Sequence, residues 1–199
     1  MAYVTKAQFK EFKGITGTSD DTLIDNLIDR AEAWFNRECQ RTIVAESDTT
    51  RYMDAVGDHL DGRSLFVYPF GDLCSITTVT NGDATTLTAN TEYTTYPKTL
   101  TLGEPCIQEV RILGSVNKAW TYTTNWENAI SITGRWALFS SASVPKDIVN
   151  AIIRLTAYLY KVKDTDAFET TVVPYEGIIQ APSGFPVDVA RLVQRLRKP

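Results

Sequence analysis

AISITGRWALFSSASVPKDIVNAIIRLTAYLY, residues 129–160, is the stretch that decides the fold. A β-type run from Ile130 to Trp136 passes through a serine-rich turn at residues 140–143 and reaches Pro145. Proline suits the first position of a helix, where its missing N–H would have no partner. Asp147 suits the positive end of the same helix. The pattern predicts a strand, a turn and a helix in that order.

The helix that follows has almost no polar face. Its only clearly polar side chains between residues 148 and 160 are Asn150, Arg154 and Thr156. A helix this apolar, and too short to span a bilayer, must be covered by protein on most sides. We therefore expect Ile152 and Leu155 to be buried. The helix indicates assembly more than catalysis.

Composition narrows the class of protein. Hydrophobic residues make up 43% of the 199 residues, which is enough to build a core and argues against global disorder. No apolar run reaches membrane-spanning length and the start lacks the apolar stretch of a secretion signal, so we expect no membrane partner and synthesis in the cytoplasm. The three cysteines form no CxxC pair, and the net charge of −4 gives no general nucleic-acid signal.

The chain begins with a predicted short helix. Thr5 and Gln8 form a capping box, and Val4 with Phe9 forms a hydrophobic staple. Gly14 is expected to end this helix.

A second, longer helix follows. Thr18 or Ser19 is expected to cap it, with Asp20 and Asp21 in its first turn. Its apolar residues keep helical spacing over more than three turns. They are Leu23, Ile24, Leu27, Ile28, Ala31, Trp34 and Phe35.

Between residues 51 and 136 the pattern changes to short alternating runs separated by turn signals. The candidate strands are Arg51–Val56, Ser64–Tyr68, Ser75–Thr80, Thr99–Leu102, Ile107–Leu113, Ala119–Thr123 and Ala129–Thr133. Short strands at this spacing predict a small antiparallel sheet, sandwich or barrel.

The remaining residues complete the predicted fold class. Residues 162–185 show no helical period, and a final helix is expected to begin near Pro186. The chain is predicted to be α+β: an N-terminal helix pair and C-terminal helices form a helical core, with an inserted antiparallel β-sheet or sandwich. The predicted parts are the helical residues 1–50, the β region 51–137, and the C-terminal helices 138–199 with an extended arm at 162–185.

A metal site and a turn compete for the segment around the single histidine. His59 lies within eight residues of three aspartates, which invites a metal interpretation. The segment lacks regular acidic spacing and a closing glutamate. It also lies between two candidate strands and ends in Asp61-Gly62, a strong hairpin signal. The turn is favoured, and no metal or cofactor is predicted.

No catalytic motif is present in the chain. No nucleophile elbow accompanies the histidine, and neither phosphate-binding glycine pattern occurs. We predict that the protein is not an enzyme. Aromatic residues in the β region leave a carbohydrate- or host-surface-binding module as the alternative class. They are Trp120, Tyr122, Trp126 and Trp136.

Four stretches together resemble one protein family, the head-tail connector (adaptor, or head-completion) proteins of long-tailed bacteriophages, prophages and gene transfer agents. The first stretch is Tyr3–Gly17 with Asp20-Asp21 and the helix Leu23–Cys39. The second is the hairpin Tyr52–Phe70 continuing to Ile76–Thr80. The third is Ile132–Trp136 followed by Val144–Ile148, and the fourth is Gly184, Pro186–Val189 and the arginine-rich end.

This resemblance implies a structural virion protein. Relatives form a ring, typically of twelve copies, that docks under the capsid portal in the neck of the particle. The ring extends the DNA channel and provides the attachment surface for the stopper or tail-terminator protein. DNA is then only passing cargo.

The candidate site residues are contact residues. Those expected at the subunit interface are Tyr158, Tyr160, Val172, Val173, Ile178 and Ile179. Those expected to contact the portal or line the DNA channel are Arg191, Leu192, Val193, Arg195, Leu196 and Arg197. The last fourteen residues carry four basic side chains and one acidic one, which is the only basic part of the chain.

Overall fold

The computed structural model describes residues 4–162, 171–173, 177–179 and 186–198. The chain divides into two compact units, a helical unit (Ala2–Gln40 with Pro145–Pro199) and a β unit (essentially Arg41–Val144). The predicted α+β class is confirmed: helices from both ends of the sequence form one unit, and the antiparallel strands are inserted between them in sequence. In the described part of the chain, no helix combines the length and apolarity needed to cross a bilayer.

In its described residues, the helical unit contains four helices and a hairpin. They are α1 Lys6–Lys13, α2 Asp21–Cys39, α3 Lys146–Val162, the strands β9 Thr171–Val173 and β10 Gly177–Ile179, and α4 Val187–Leu196. The predictions for α3 are confirmed, because Ile152 and Leu155 are 0% and 1% exposed. The helix follows Pro145, whose carbonyl accepts from the N–H groups of Ile148 and Val149.

The start of α1 follows the predicted capping box. The Gln8 N–H donates to Thr5 Oγ1 at 3.3 Å, and the Thr5 N–H donates to Gln8 Oε1 at 2.8 Å. Val4 and Phe9 are both fully buried, as a staple requires. Gly14 ends the helix in the left-handed conformation, with φ of 68°.

The predicted cap of α2 is wrong by one or two residues. The helix starts after Asp20 and has no side-chain cap. The Thr18 carbonyl is used to close a turn with the Asp21 N–H at 3.2 Å. The Asp20 carboxylate accepts the Tyr160 hydroxyl from α3. The Asp20 side chain could have capped the helix, but it accepts the hydrogen bond from Tyr160 instead.

The β unit contains two four-stranded antiparallel sheets. Their strands are β1 Thr49–Met53, β2 Leu60–Asp61, β3 Ser64–Phe66, β4 Ser75–Thr80, β5 Thr86–Leu87, β6 Tyr93–Tyr96, β7 Glu109–Ile112 and β8 Ile130–Arg135. The strand orders are β1-β8-β4-β5 and β2-β3-β7-β6. Both sheets supply side chains to one apolar core, including Val79 and Ile132 from the first sheet and Leu65 and Val110 from the second. This common core between two sheets is the arrangement of a sandwich.

Two predicted strands are wrong. Residues 99–102 form no strand, because Thr101 and Glu104 exchange backbone hydrogen bonds at 3.1 and 3.2 Å in a tight turn. Residues 119–123 also form no strand, because the Asn81 side chain makes hydrogen bonds with the backbone of two of them. Its amide donates to the Ala119 carbonyl at 2.9 Å and its oxygen accepts from the Thr121 N–H at 3.1 Å.

Candidate interaction surfaces

The apolar stripe of α4 is mostly used within the helical unit. Val189 is fully buried and Val193 is 8% exposed. Leu192 and Leu196 are half-buried. The Lys198 N–H donates to the Cys39 carbonyl at 3.1 Å, which fastens the chain end to the end of α2. Val193 therefore has little surface for a partner, and Leu192 and Leu196 keep part of theirs.

The cations of α4 differ in how they are paired. Arg195 Nη2 lies 2.8 Å from Asp147 Oδ2 at the start of α3. The reciprocal pair joins Arg154 Nη1 of α3 to Asp188 Oδ2 of α4 at 2.6 Å. We call these two ion pairs the α3–α4 clasp. Because the Asp147 carboxylate lies beside Arg195, this arginine adds less to the positive charge predicted for the C-terminal residues.

A groove runs along the clasp. It has a volume of about 370 Å³ and is lined by Asp147, Ala151, Asp188, Arg191, Leu192 and Arg195. Arg191 and Arg197 are exposed. The lining mixes two carboxylates with two guanidinium groups around a small apolar floor. Such a surface suits a polar protein contact, since the carboxylates disfavour a phosphate backbone.

The two tyrosines predicted at a subunit interface are half-buried on the C-terminal half of α3. Tyr160 donates its hydroxyl to Asp20, and its ring centroid lies 5.8 Å from that of Phe9. Tyr160 therefore connects α3 to α1 and to the start of α2 inside one chain.

The other four residues predicted at the interface fall on the β9–β10 hairpin. Its antiparallel register pairs Val172 with Ile178 and Val173 with Gly177, and Ile179 with Thr171. The hairpin shares no ladder with either sheet of the β unit among the described strands. The rest of the predicted arm, including residues 163–170 and 180–185, lies outside the described residues.

A second groove, which the sequence did not predict, lies between α2 and α3. It has a volume of about 480 Å³ and is lined by Arg30, Ala33, Trp34, Arg37, Leu155 and Leu159. We call it the α2–α3 groove. The helical period had placed Trp34 on the core stripe, but the side chain is only half-buried, at the edge of the stripe. The signal in the sequence was a large aromatic residue flanked by arginines at both sides, four and three residues away.

The segment around the histidine forms the predicted turn. Gly62 has φ of 58° in the two-residue connection between β2 and β3, where Asp61 pairs with Ser64. The His59 Nε2 atom lies 2.7 Å from the Asp54 carbonyl, and the ring packs edge-on against Phe70 at 5.2 Å. No cluster of three metal-binding side chains occurs among the residues that the structure describes.

Two of the four aromatic residues proposed for a carbohydrate face are core residues. Trp120 donates its indole N–H to the Arg63 carbonyl at 2.9 Å, and Trp136 donates to the Thr49 carbonyl at 3.1 Å. Both rings are buried in the core of the β unit. Only Tyr122 and Trp126 remain exposed. The alternative of a carbohydrate-binding face therefore loses these two residues, because they belong to the core of the β unit.

The two cysteines of the β unit, Cys74 and Cys106, are not reactive thiols. Burial, with smaller contributions from the nearby Asp72 carboxylate and Cys74, raises the pKa of the Cys106 thiol to about 12. Burial also raises the pKa of Cys74. Both residues stay as neutral thiols at physiological pH, since a thiolate needs a low pKa.

No protein-family model matches this chain. No curated protein is similar enough in sequence to match it. Solved structures do share its fold. A chain from the neck of an empty gene transfer agent particle, computed with C6 symmetry, has a TM-score of 0.52 at 15% identity, over 97% of this chain and 88% of its own.

A chain from the neck of a native gene transfer agent particle, computed with C12 symmetry, has a TM-score of 0.51 at 16% identity, over 97% of this chain and 87% of its own. The likeness extends over both units of the chain, so it concerns the whole fold. At these identities the resemblance to head-tail connector proteins that the sequence indicated is confirmed at the level of the fold.

Proposed function

We propose that the protein is a structural neck protein of a bacteriophage or gene transfer agent particle. It forms the connector ring that docks under the capsid portal, extends the DNA channel and provides the attachment surface for the stopper or tail. The observation that supports this proposal is the fold shared, over 97% of the sequence, with chains from the necks of gene transfer agent particles that were computed with C6 and C12 symmetry.

The described surfaces support a contact role. The groove along the α3–α4 clasp presents paired charges with exposed arginines, and the α2–α3 groove presents an apolar floor. Two dissimilar surfaces on one chain are what a head-to-tail ring requires, because each copy meets its neighbours through different faces. Grooves of this kind suit protein partners, and the proposed role requires no chemistry on a substrate.

The test is assembly with the cognate portal protein. The purified chain should form rings in negative-stain images, alone or on the portal, and should co-elute with portal in size-exclusion chromatography. Its position in native particles should be the neck. A chain that stays monomeric in the presence of portal and binds no portal contradicts the proposal.

A further inference from the structure

We infer that the open edge of strand β1 receives an extended, basic segment of the stopper protein, which adds to the sheet as a further strand. This inference rests on the proposed function and adds to it the surface through which the next protein of the neck is attached.

Strand β1 is an edge strand with one unpaired side. It pairs with β8 from Thr49 opposite Gly134 to Met53 opposite Ile130, and no other described strand pairs with it. Alternate backbone N–H and C=O groups of an antiparallel edge strand point away from its partner strand. Such an unpaired side is a template to which a strand of another protein can be added.

The other edges of the two four-stranded sheets are blocked. Strands β2 and β5 have only two residues each. Strand β6 has four, but its first residue bonds to a turn of its own chain: the Tyr93 N–H donates to the Thr88 carbonyl at 3.3 Å, and the Tyr93 carbonyl accepts from the Asn90 N–H at 2.8 Å. Short strands and covering loops both prevent edge pairing. Strand β1, with five residues, has neither protection.

The sequence of β1 also contains none of the residues that discourage pairing. It has no proline and no lysine, and its register with β8 has no bulge. Its one charged residue, Arg51, is turned toward the core, where its guanidinium lies 4.4 Å from the centroid of the Trp136 ring and donates to the Phe70 carbonyl. Tyr52 is 59% exposed and offers its ring to a partner. The strand is therefore suited to accept a neighbour.

The surface at the C-terminal end of β1 is acidic. The Asp54 carboxylate accepts from the Asn128 N–H at 2.8 Å, so the residues just before β8 lie beside this end. The His59 Nε2 atom lies 2.7 Å from the Asp54 carbonyl, which holds the loop containing Asp58 close to the strand. Asp58 and Glu127 are exposed, and no described cation forms an ion pair with these three carboxylates. This end of the strand therefore favours a cationic partner.

The partner is a different protein, because a second copy offers no basic strand among its described residues. The strands at the other edges read LD, TL and YTTY, and the separate hairpin reads TVV and GII. Pairing of β1 with the β1 of another copy is a twofold contact, which closes on itself and cannot build a ring. The C-terminal helix is the surface expected to contact the portal, so the stopper is the neck protein that remains for β1.

The geometry of the edge defines the segment that fits it. An added strand places alternate side chains beside Thr50 and Tyr52, and its end lies beside the carboxylates. A segment with apolar or aromatic residues at alternate positions and a lysine or arginine near Asp54 satisfies both features. Main-chain hydrogen bonds then supply affinity, and the two kinds of side-chain contact supply specificity.

The experiment measures how the purified cognate stopper binds to the full-length protein assembled on portal. Amide hydrogen exchange follows residues 49–53 with and without the stopper. We expect alternate amides of β1 to exchange at least tenfold more slowly in the complex, because they gain main-chain hydrogen bonds. Overlapping peptides that tile the stopper sequence then identify the segment, and the peptide that binds should carry the expected cation.

A charge-reversed variant tests the acidic end. Asp58→Lys with Glu127→Lys changes two exposed side chains, so the melting temperature should stay that of the wild type. We expect the affinity for the stopper to fall about tenfold and its salt dependence to weaken. Glu104→Lys is the matched control, because it reverses an exposed carboxylate in another turn of the β unit and should leave the affinity unchanged.

Three results would count against these expectations. Stopper binding that leaves the β1 amides unprotected, or that keeps its strength in the double reversal, would overturn the inference and leave the proposed function intact. Protection of β1 that appears without the stopper and grows with protein concentration would assign the edge to a second copy and would also overturn the inference. A wild-type protein that forms no ring on portal would instead contradict the proposed function.

Discussion

Thr156 carries a hydroxyl that the packing of the helical unit does not use. The residue is 0% exposed in α3, and its Oγ1 atom has no hydrogen-bond partner among the described residues. An unpaired buried hydroxyl loses its hydration without compensation. Valine has nearly the same shape without this cost.

Thr156→Val should therefore raise the free energy of unfolding by about 1 kcal/mol. Urea denaturation followed by the helical circular dichroism signal measures this directly. Thr156→Ser is the matched control, because it keeps the hydroxyl and removes the methyl group, and it should lower stability by about 1 kcal/mol. A destabilised valine variant would mean that the hydroxyl has a partner in solution.

The raised pKa of Cys106 predicts how the free energy of unfolding changes at alkaline pH. Its pKa is raised from 9.0 to about 12 in the folded state. A raised pKa gives stability that is fully present below the unfolded value and is lost as pH rises toward the folded value. We expect the unfolding free energy of the wild type to fall more steeply between pH 9 and pH 10.5 than that of Cys106→Ala. Parallel pH profiles for the two proteins would refute a raised pKa at this half-buried thiol.

At the scale of elements, the α3–α4 clasp sets how the last helix is held. Asp147 lies in the first turn of α3 and Arg195 in the last turn of α4, so each charge also complements a helix dipole. Exposed ion pairs contribute only about 0.2–1 kcal/mol. The clasp should therefore fix the register of α4 more than it stabilises the unit.

A double-mutant cycle at the Asp147–Arg195 pair tests how much the ion pair and the helix dipoles contribute to stability. Asp147→Arg and Arg195→Asp should each cost about 1 kcal/mol, from the lost pair and the adverse dipole. The combined reversal should recover the pair but stay below wild-type stability, because both charges then oppose their helix dipoles. The Arg154–Asp188 pair is the comparison: Arg154 lies away from the ends of α3, so only Asp188, in the first turn of α4, adds a dipole contribution there. Full recovery by the combined reversal would show that the dipoles contribute nothing.

Local signals in the sequence predicted the elements that depend on neighbouring residues. The capping box at Thr5, the glycine at position 14 and strand Ser75–Thr80 all have the predicted places. The errors came from tertiary contacts. No local rule shows that Asn81 will bind residues 119–121. Strands β5 and β6 were also missed, and both lie at sheet edges with a single partner strand each, so their alternation is weak.

The candidate surfaces were harder to predict than the fold, because they too depend on tertiary contacts. Tyr160 is an apolar helix residue in the sequence, and only the fold shows that Asp20 receives its hydroxyl. The α2–α3 groove depends on how Trp34 and Leu159 meet across two helices that are distant in sequence. The residue types alone do not show that Trp34 and Leu159 line the same groove.

At the scale of the whole molecule, the basic end should contact protein more than DNA. Deleting α4 would not test this, because Val189 and Val193 are part of the helical core and their loss would disturb folding. Arg191 and Arg197 are exposed and can be changed without that cost. Arg191→Glu with Arg197→Glu is therefore the informative variant.

We expect this double variant to lose portal binding at least tenfold and to show the same weak duplex-DNA binding as the wild type. The carboxylates of Asp147 and Asp188, which line the same groove as Arg191, should keep phosphate affinity low, as the proposed passage of DNA through a ring requires. Binding to DNA is measured between 50 and 200 mM salt, because a protein that grips phosphates loses affinity steeply over about that range. Lys13→Glu, which reverses an exposed cation at the end of α1, is the charge control. A steep salt dependence in the wild type that disappears in the double variant, with portal binding intact, would assign these arginines to the wall of the DNA channel instead.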